Sequence, residues 1–276
     1  MTRPPAPEPL PHAVVDNHCH LDIARDGNRP DVAEALAAAT AVGVPRIVQI
    51  GCDLVGASWA VEVANTYQGI VAAVALHPNE APRLAAGGRL ALGLAEIESL
   101  ARSSPQVRAI GETGLDYFRT GADGRAAQHE SFRAHIGMAK TLGKTLVIHD
   151  REAHHDVLRL LDEEGAPPRT VMHCFSGDAD FARACLERGC WLSYAGTVTF
   201  PNAHSIREAL AVTPMDRVLV ETDAPYLTPM PHRGRPNGSY LVPLTVRAMA
   251  QLRGDDLAEL CAAIDANTDA AFGGPW

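Results

Sequence analysis

Eight times along the chain a short β-branched or apolar run gives way to a helix-like stretch, and that alternation leaves few architectures open. Strand-like runs cover 13–19, 46–51, 70–76, 107–112, 145–149, 170–174, 191–194 and 217–222. Helical periodicity covers 31–42, 57–67, 89–102, 125–142, 153–164, 179–188 and 205–211, and then 241–252 and 255–266. Many helical stretches end in glycine (Gly43, Gly69, Gly143, Gly165, Gly189), the residue that most readily takes the left-handed conformation closing a helix. With 276 residues, 46% of them hydrophobic, the chain can close these units into one α/β domain, a (β/α)8 TIM barrel. An open doubly wound sheet is the competitor, but no G-x-G-x-x-G follows the first strand. Neither repeats nor a linker divides the chain. The reading is a flexible proline-rich tail over 1–11 and a barrel domain over 12–276.

The polar residues at the ends of these strands indicate chemistry. Asp16-Asn17-His18-Cys19-His20 ends the first, Glu112 the fourth, His149 the fifth and His173 the sixth, and Asp223 follows the eighth. Residues i and i+2 of a strand share a face, so His18 and His20 can bind one ion together while Cys19 points away. Each residue alone has an ordinary explanation, a core histidine or a loop cap. Their joint placement does not, because a barrel gathers the carboxyl ends of its strands at one mouth. Four imidazoles and two carboxylates exceed what one tetrahedral ion needs and suffice for two ions sharing a bridge. Glu112, with two oxygens, is the bridging candidate. The donor set admits Mg, Mn or Zn.

Charge bounds the partners. A net charge of −9 is the wrong sign for holding nucleic acid on a broad basic surface, so a polyanion would be gripped locally by metals and a few arginines. Stretch 1–11 has no hydrophobic segment to act as a secretory signal, and no apolar run is long enough to span a membrane. The six cysteines form no C-x-x-C pair and read as free thiols of a cytoplasmic protein. No obligate protein partner is evident.

The segments Val15-Asp16-Asn17-His18-Cys19-His20-Leu21-Asp22, Leu76-His77-Pro78, Gly111-Glu112-Thr113-Gly114-Leu115-Asp116-Tyr117, Val147-Ile148-His149-Asp150-Arg151, His173-Cys174-Phe175-Ser176-Gly177 and Glu221-Thr222-Asp223-Ala224-Pro225-Tyr226-Leu227 resemble, in order and spacing, the TatD family of metal-dependent hydrolases within the amidohydrolase-like barrels. The resemblance runs almost the whole length. It implies a two-metal site, with His18, His20, Glu112 and Asp223 around one ion and Glu112, His149 and His173 around the second. It also implies deoxyribonuclease activity, including 3′–5′ exonuclease action on single strands. Asn17, Ala75 and Thr145 depart from the family's usual residues, and the loop 233–239 lacks its usual glutamate and proline.

On this reading DNA, single-stranded or at its 3′ ends, is cleaved by a hydroxide activated between two divalent metals. Asp223 is the candidate general base and Glu112 the catalytic bridge. Asp16 either orients a ligand histidine or caps its strand. Arg151, and after it Arg233 and Arg235, are candidate phosphate contacts, with surface placement the alternative, and His77 is a candidate substrate contact. Tyr226 and Phe175 either stack bases or pack. The competing function is hydrolysis of a small amide, lactone or deaminable base with the same metals. Many such barrels bridge their metals with a modified lysine, and no lysine lies near the fourth strand.

Overall fold

A computed structural model of the chain describes residues 2–24, Gly27 and 29–276. Eight parallel strands follow one another around a single sheet: β1 Val15–Cys19, β2 Arg46–Gly51, β3 Ile70–Val74, β4 Val107–Asp116, β5 Thr145–Arg151, β6 Thr170–Met172, β7 Trp191–Tyr194 and β8 Val218–Val220. The sheet closes where Cys19 pairs with Ala224. Asp223 N donates to His18 O (2.9 Å) and His20 N to Ala224 O (2.8 Å), so the seam of the barrel runs between two of the candidate ligands and Asp223.

Among the described residues, ten α-helices accompany the strands: α1 Val32–Thr40, α2 Leu54–Thr66, α3 Glu80–Ala86, α4 Leu90–Ser103, α5 Ala122–Leu142, α6 His154–Glu164, α7 Ala179–Glu187, α8 His204–Val212, α9 Val242–Arg253 and α10 Leu257–Phe272. The periodicity locates nine of them. It misses α3, which is only seven residues long and carries Pro82 in its first turn, where a missing N–H costs nothing.

Alternation within the strands builds two cores. One set of faces packs against the surrounding helices. The other fills the barrel with Val48, Ile50, Val71, Ala73, Ala109, Val147, Val171, Trp191 and Leu219, and Ala271 and Phe272 of α10 pack against it. Along β5 and β8 the same two-residue step carries this inner face upward, from Val147 to His149 and from Leu219 to Glu221 and Asp223. The polar cluster therefore stands on an apolar floor.

Two of the residues that depart from the family pattern have structural work. Asn17 Nδ2 donates to Ser193 Oγ (2.7 Å) and Val220 O (2.6 Å), joining β1 to β7 and β8. Thr145 Oγ1 donates to Ala271 O (2.5 Å), fastening β5 to α10.

The segment read as a flexible tail has its first residue outside the described residues. From Thr2 on it runs alongside α9 and the turn Ser239–Leu241. Tyr240 donates to Pro4 O (2.9 Å), Arg247 to Pro9 O (2.9 Å), and Leu10 is buried. All six cysteines are free thiols. Among the described residues no helix is long and apolar enough to cross a membrane.

Candidate metal centre

The centre is built around a segment that looks like a turn in the sequence but continues a strand. Gly111-Glu112-Thr113-Gly114 would ordinarily end β4, yet the strand runs on to Asp116, with Thr113 paired to Ile148 and Gly114 to His149 after a shift in register. The two glycines permit this. A Cβ on Gly111 would lie 2.5 Å from that of Val147. Gly114 has φ +137°, and a Cβ there would meet His149 O at 2.1 Å. The irregularity presents Glu112, 5% exposed, to the barrel axis beside His149.

The two oxygens of Glu112 face different histidines. Oε1 lies 3.9 Å from His18 Nε2 and 3.7 Å from His20 Nε2. Oε2 lies 3.2 Å from His149 Nδ1 and 3.0 Å from His173 Nε2. Asp223 Oδ1 stands 3.9 Å from His18 Nε2 and 3.4 Å from His20 Nε2. Its backbone is left-handed, with φ +53°, a conformation aspartate tolerates better than most residues.

Several of these spacings are too long for hydrogen bonds and too short for indifference. Two ligand atoms about 2.1 Å from one tetrahedral ion stand about 3.4 Å apart. Both ring nitrogens of His18 are buried without a hydrogen-bond partner, which leaves an imidazole desolvated for nothing the protein itself supplies. Groups of His18, His20 and Glu112, of His18, His173 and Glu221, and of His77, Glu112 and His149 each bring donor atoms within 4.8 Å of one another. These clusters are consistent with a two-metal active site.

Titration behaviour follows from the packing. Burial works against charge on Glu112, but the facing histidines, His173 foremost, outweigh it and hold the carboxyl well below its usual range. His18, desolvated and beside His173, is pushed down. His149 is also buried, but hydrogen bonding to Asp116 and Glu112 raises it to about 9. His173 is raised despite burial by Glu221 and Glu112. In the metal-free protein these two rings therefore hold protons at neutral pH, and a cation must displace them. Apparent cation affinity is expected to keep climbing with pH from neutrality to at least about 9. Calorimetric titrations in buffers of different ionisation heat should show net proton release at neutral pH. An affinity already flat from about pH 7, near the ordinary histidine pKa, would contradict this.

The structure brings together His18, His20, Glu112, His149, His173 and Asp223, and it adds His77, expected only as a substrate contact. Arg151 also lines the mouth, a cavity of about 600 Å³, but its guanidinium lies 3.8 Å over the ring of Phe118. Arg233 and Arg235 do not line this cavity. Arg233 stacks 4.2 Å over Phe200, and Arg235 donates to the backbone oxygens of Thr2 and Arg3 (both 2.9 Å). Asp16 reaches no histidine ring. It accepts from Thr222 N (2.9 Å) and Thr222 Oγ1 (2.6 Å), and its one contact with His18 is to the backbone N–H at 3.4 Å. Phe175, 2% exposed, packs.

Sequence reasoning missed the groups that hold the histidines in place. Glu221 Oε1 accepts from His173 Nδ1 at 2.9 Å, leaving Nε2 toward Glu112. Its signal was available, since it stands two residues before Asp223 on the same strand face. Asp116 Oδ2 lies 3.5 Å from His149 Nε2. It was hidden by the turn-like reading of the glycines before it. Cys52 Sγ approaches Glu112 Oε1 at 3.1 Å, and nothing in its spacing pointed there.

Residues 15–273 match the family described as TatD related DNase. The chain is 43% identical over 267 residues to the uncharacterized metal-dependent hydrolase TatD of Mycobacterium tuberculosis, covering 95% of this chain and 99% of that protein. It is 34% identical over 251 residues to the 3′-5′ ssDNA/RNA exonuclease TatD of Citrobacter rodentium, covering 88% and 92%. The crystal structure of YjjV, a TatD homologue from Escherichia coli K12, superposes with a TM-score of 0.86 at 27% identity, covering 95% of this chain and 98% of that one. With the barrel, the imidazole–carboxylate cluster and this agreement along nearly its whole length, the chain belongs to the TatD family of metal-dependent hydrolases.

Proposed function

We propose that the protein hydrolyses phosphodiester bonds of nucleic acid, shortening single-stranded DNA from its 3′ end, with two divalent cations at the barrel mouth. The disposition of Glu112 carries this reading, because each of its oxygens faces a different pair of imidazoles. His18, His20 and Asp223 would complete one cation's ligands, and His149 and His173 the other's. Such a pair supplies charge neutralisation for a phosphate and a lowered pKa for a water molecule.

The remaining roles belong to the chain. Asp223, its side chain 16% accessible, can accept a proton from the attacking water at the open side of the cluster. Glu221, hydrogen-bonded to His173, keeps that ring aimed, as carboxylates do for ligand imidazoles, and Asp116 stands 3.5 Å from His149 Nε2 on the far side of the second ring. Arg119 and Arg151 line the same cavity and have no carboxylate within ion-pair distance among the described residues, so both guanidiniums are available to substrate oxygens. The similarity to the Citrobacter rodentium 3′-5′ ssDNA/RNA exonuclease supports DNA or RNA as the polymer and the 3′ end as the starting point.

A bridge made by a modified lysine, the mark of many small-amide hydrolases of this architecture, has no residue to serve it here. Lys140 Nζ donates to Glu164 O (2.6 Å) and Lys144 Nζ to Val107 O, at the opposite end of β4 from the cluster.

The test is digestion of 5′-labelled single- and double-stranded DNA by metal-free protein reloaded with Mg, Mn or Zn, with a His149→Ala/His173→Ala variant alongside. Stepwise shortening of the single strand from its 3′ end, absent in the variant, is the expected result. No cleavage with any ion, despite bound metal and intact fold, would move the activity to a small-molecule substrate.

A further inference from the structure

Phe118 sits at the tip of the turn between β4 and α5, 57% exposed, and it contributes to neither core. A large apolar side chain exposed to water next to Arg119 and Arg151, both of which line the cavity, calls for an explanation, and its surroundings provide one. The turn is braced. Asp116 Oδ1 accepts from Arg119 N (2.8 Å), Gln128 Nε2 donates to Thr120 Oγ1 (2.8 Å), and Asn79 Nδ2 donates to Asp116 Oδ2 (3.2 Å). Tyr117 N also donates to Arg151 O (2.9 Å), which ties the turn to the end of β5. The Arg151 guanidinium lies 3.8 Å from the ring centroid and so covers one face of the ring. More than half of the residue stays exposed to solvent. Arg151 is two residues beyond His149 on the same strand and lines the same cavity, so this aromatic–cation pair stands beside the mouth that holds the ligand cluster.

We propose that Phe118, backed by Arg151, is a stacking platform for one unpaired base of the substrate strand, seating it while a neighbouring phosphate enters the cluster. This rests on the reading that the mouth takes nucleic acid. A phenyl ring offers its π face to any base, so the platform is tolerant of sequence. The guanidinium beneath adds cation–π attraction and keeps the ring from turning. Arg151 and Arg119 bring positive charge to the rim for the phosphates on either side of that base. A base inside a duplex has both faces already stacked, so the platform favours single strands and frayed ends. Of the two aromatics whose positions in sequence suggest such a role, Phe175 is buried and cannot serve, while Tyr226 is partly exposed and lines the cavity.

The experiment compares wild type, Phe118→Ala and Phe118→Trp on 5′-labelled single-stranded oligonucleotides, with a matched series carrying an abasic nucleotide at each of the last few 3′ positions. Phe118→Ala is expected to raise KM on the order of 10-fold with kcat nearly unchanged, and Phe118→Trp to restore it. With the abasic series, the wild type should lose the same factor at one position, where the alanine variant loses nothing further. An unchanged KM in Phe118→Ala would overturn the proposal, as would an alanine penalty that persists whichever base is removed. A wild type that cleaves no strand with any cation would instead remove the nucleic-acid reading, and this proposal with it.

Discussion

Phe118 aside, replacing Glu112 with glutamine is expected to lower cation-dependent turnover by about 10³-fold or more, with the barrel intact. The amide keeps the size of the carboxylate but has one oxygen where the cluster needs two and no charge where it needs one. On one side His18 and His20 lose the anion they face at 3.9 and 3.7 Å. On the other, His149 and His173 lose it at 3.2 and 3.0 Å. The amide nitrogen would also point a donor at rings that are themselves donors when protonated. Because Glu112 contributes to both halves of the cluster, cation binding should fall in both together, which metal analysis of the purified variant would detect. A variant that keeps a tenth of wild-type turnover would show that Glu112 is not shared. Circular dichroism on the same sample separates loss of the centre from loss of the fold.

The second large effect is at Asp223. Its alanine variant, assayed at saturating cation, should lose about 10²–10⁴-fold in kcat while KM moves only a few-fold, because a proton acceptor acts in the transition state rather than in substrate binding. Asp223 faces His18 and His20 as well, so some loss of cation affinity is expected, which is why saturation matters. Equal losses in kcat and in substrate affinity would make Asp223 a binding residue only. Asparagine at this position should behave like alanine in kcat, since it preserves shape and the hydrogen bond from Asp223 N to His18 O but cannot take a proton.

What could be read from the sequence, and what could not, divides along a physical line. Alternation with period two says which residues share a face, and a barrel says where that face leads. Together these bring His18, His20, His149, His173 and Asp223 to one mouth without any knowledge of contacts. Where the backbone departs from alternation, the reading ended too early. The paired glycines Gly111 and Gly114 resemble a turn, so alternation alone ends β4 at Glu112 and leaves out Asp116, which faces His149. Long side chains were the other failure. Arg235 belongs to a loop near the mouth, but backbone oxygens of the N-terminal segment, distant in sequence, draw its guanidinium away. Asp16 was similarly taken by Thr222 across the barrel seam. Such choices depend on which partner the fold brings nearest, and local sequence does not encode that.

The most direct measurement is an anomalous-scattering map from crystals of the protein loaded with Mn or Zn. The account predicts two peaks about 3.5–4 Å apart, one on each side of the Glu112 carboxylate, with His18 and His20 at the first and His149 and His173 at the second. A single peak at full occupancy, or two that do not share Glu112, would contradict it.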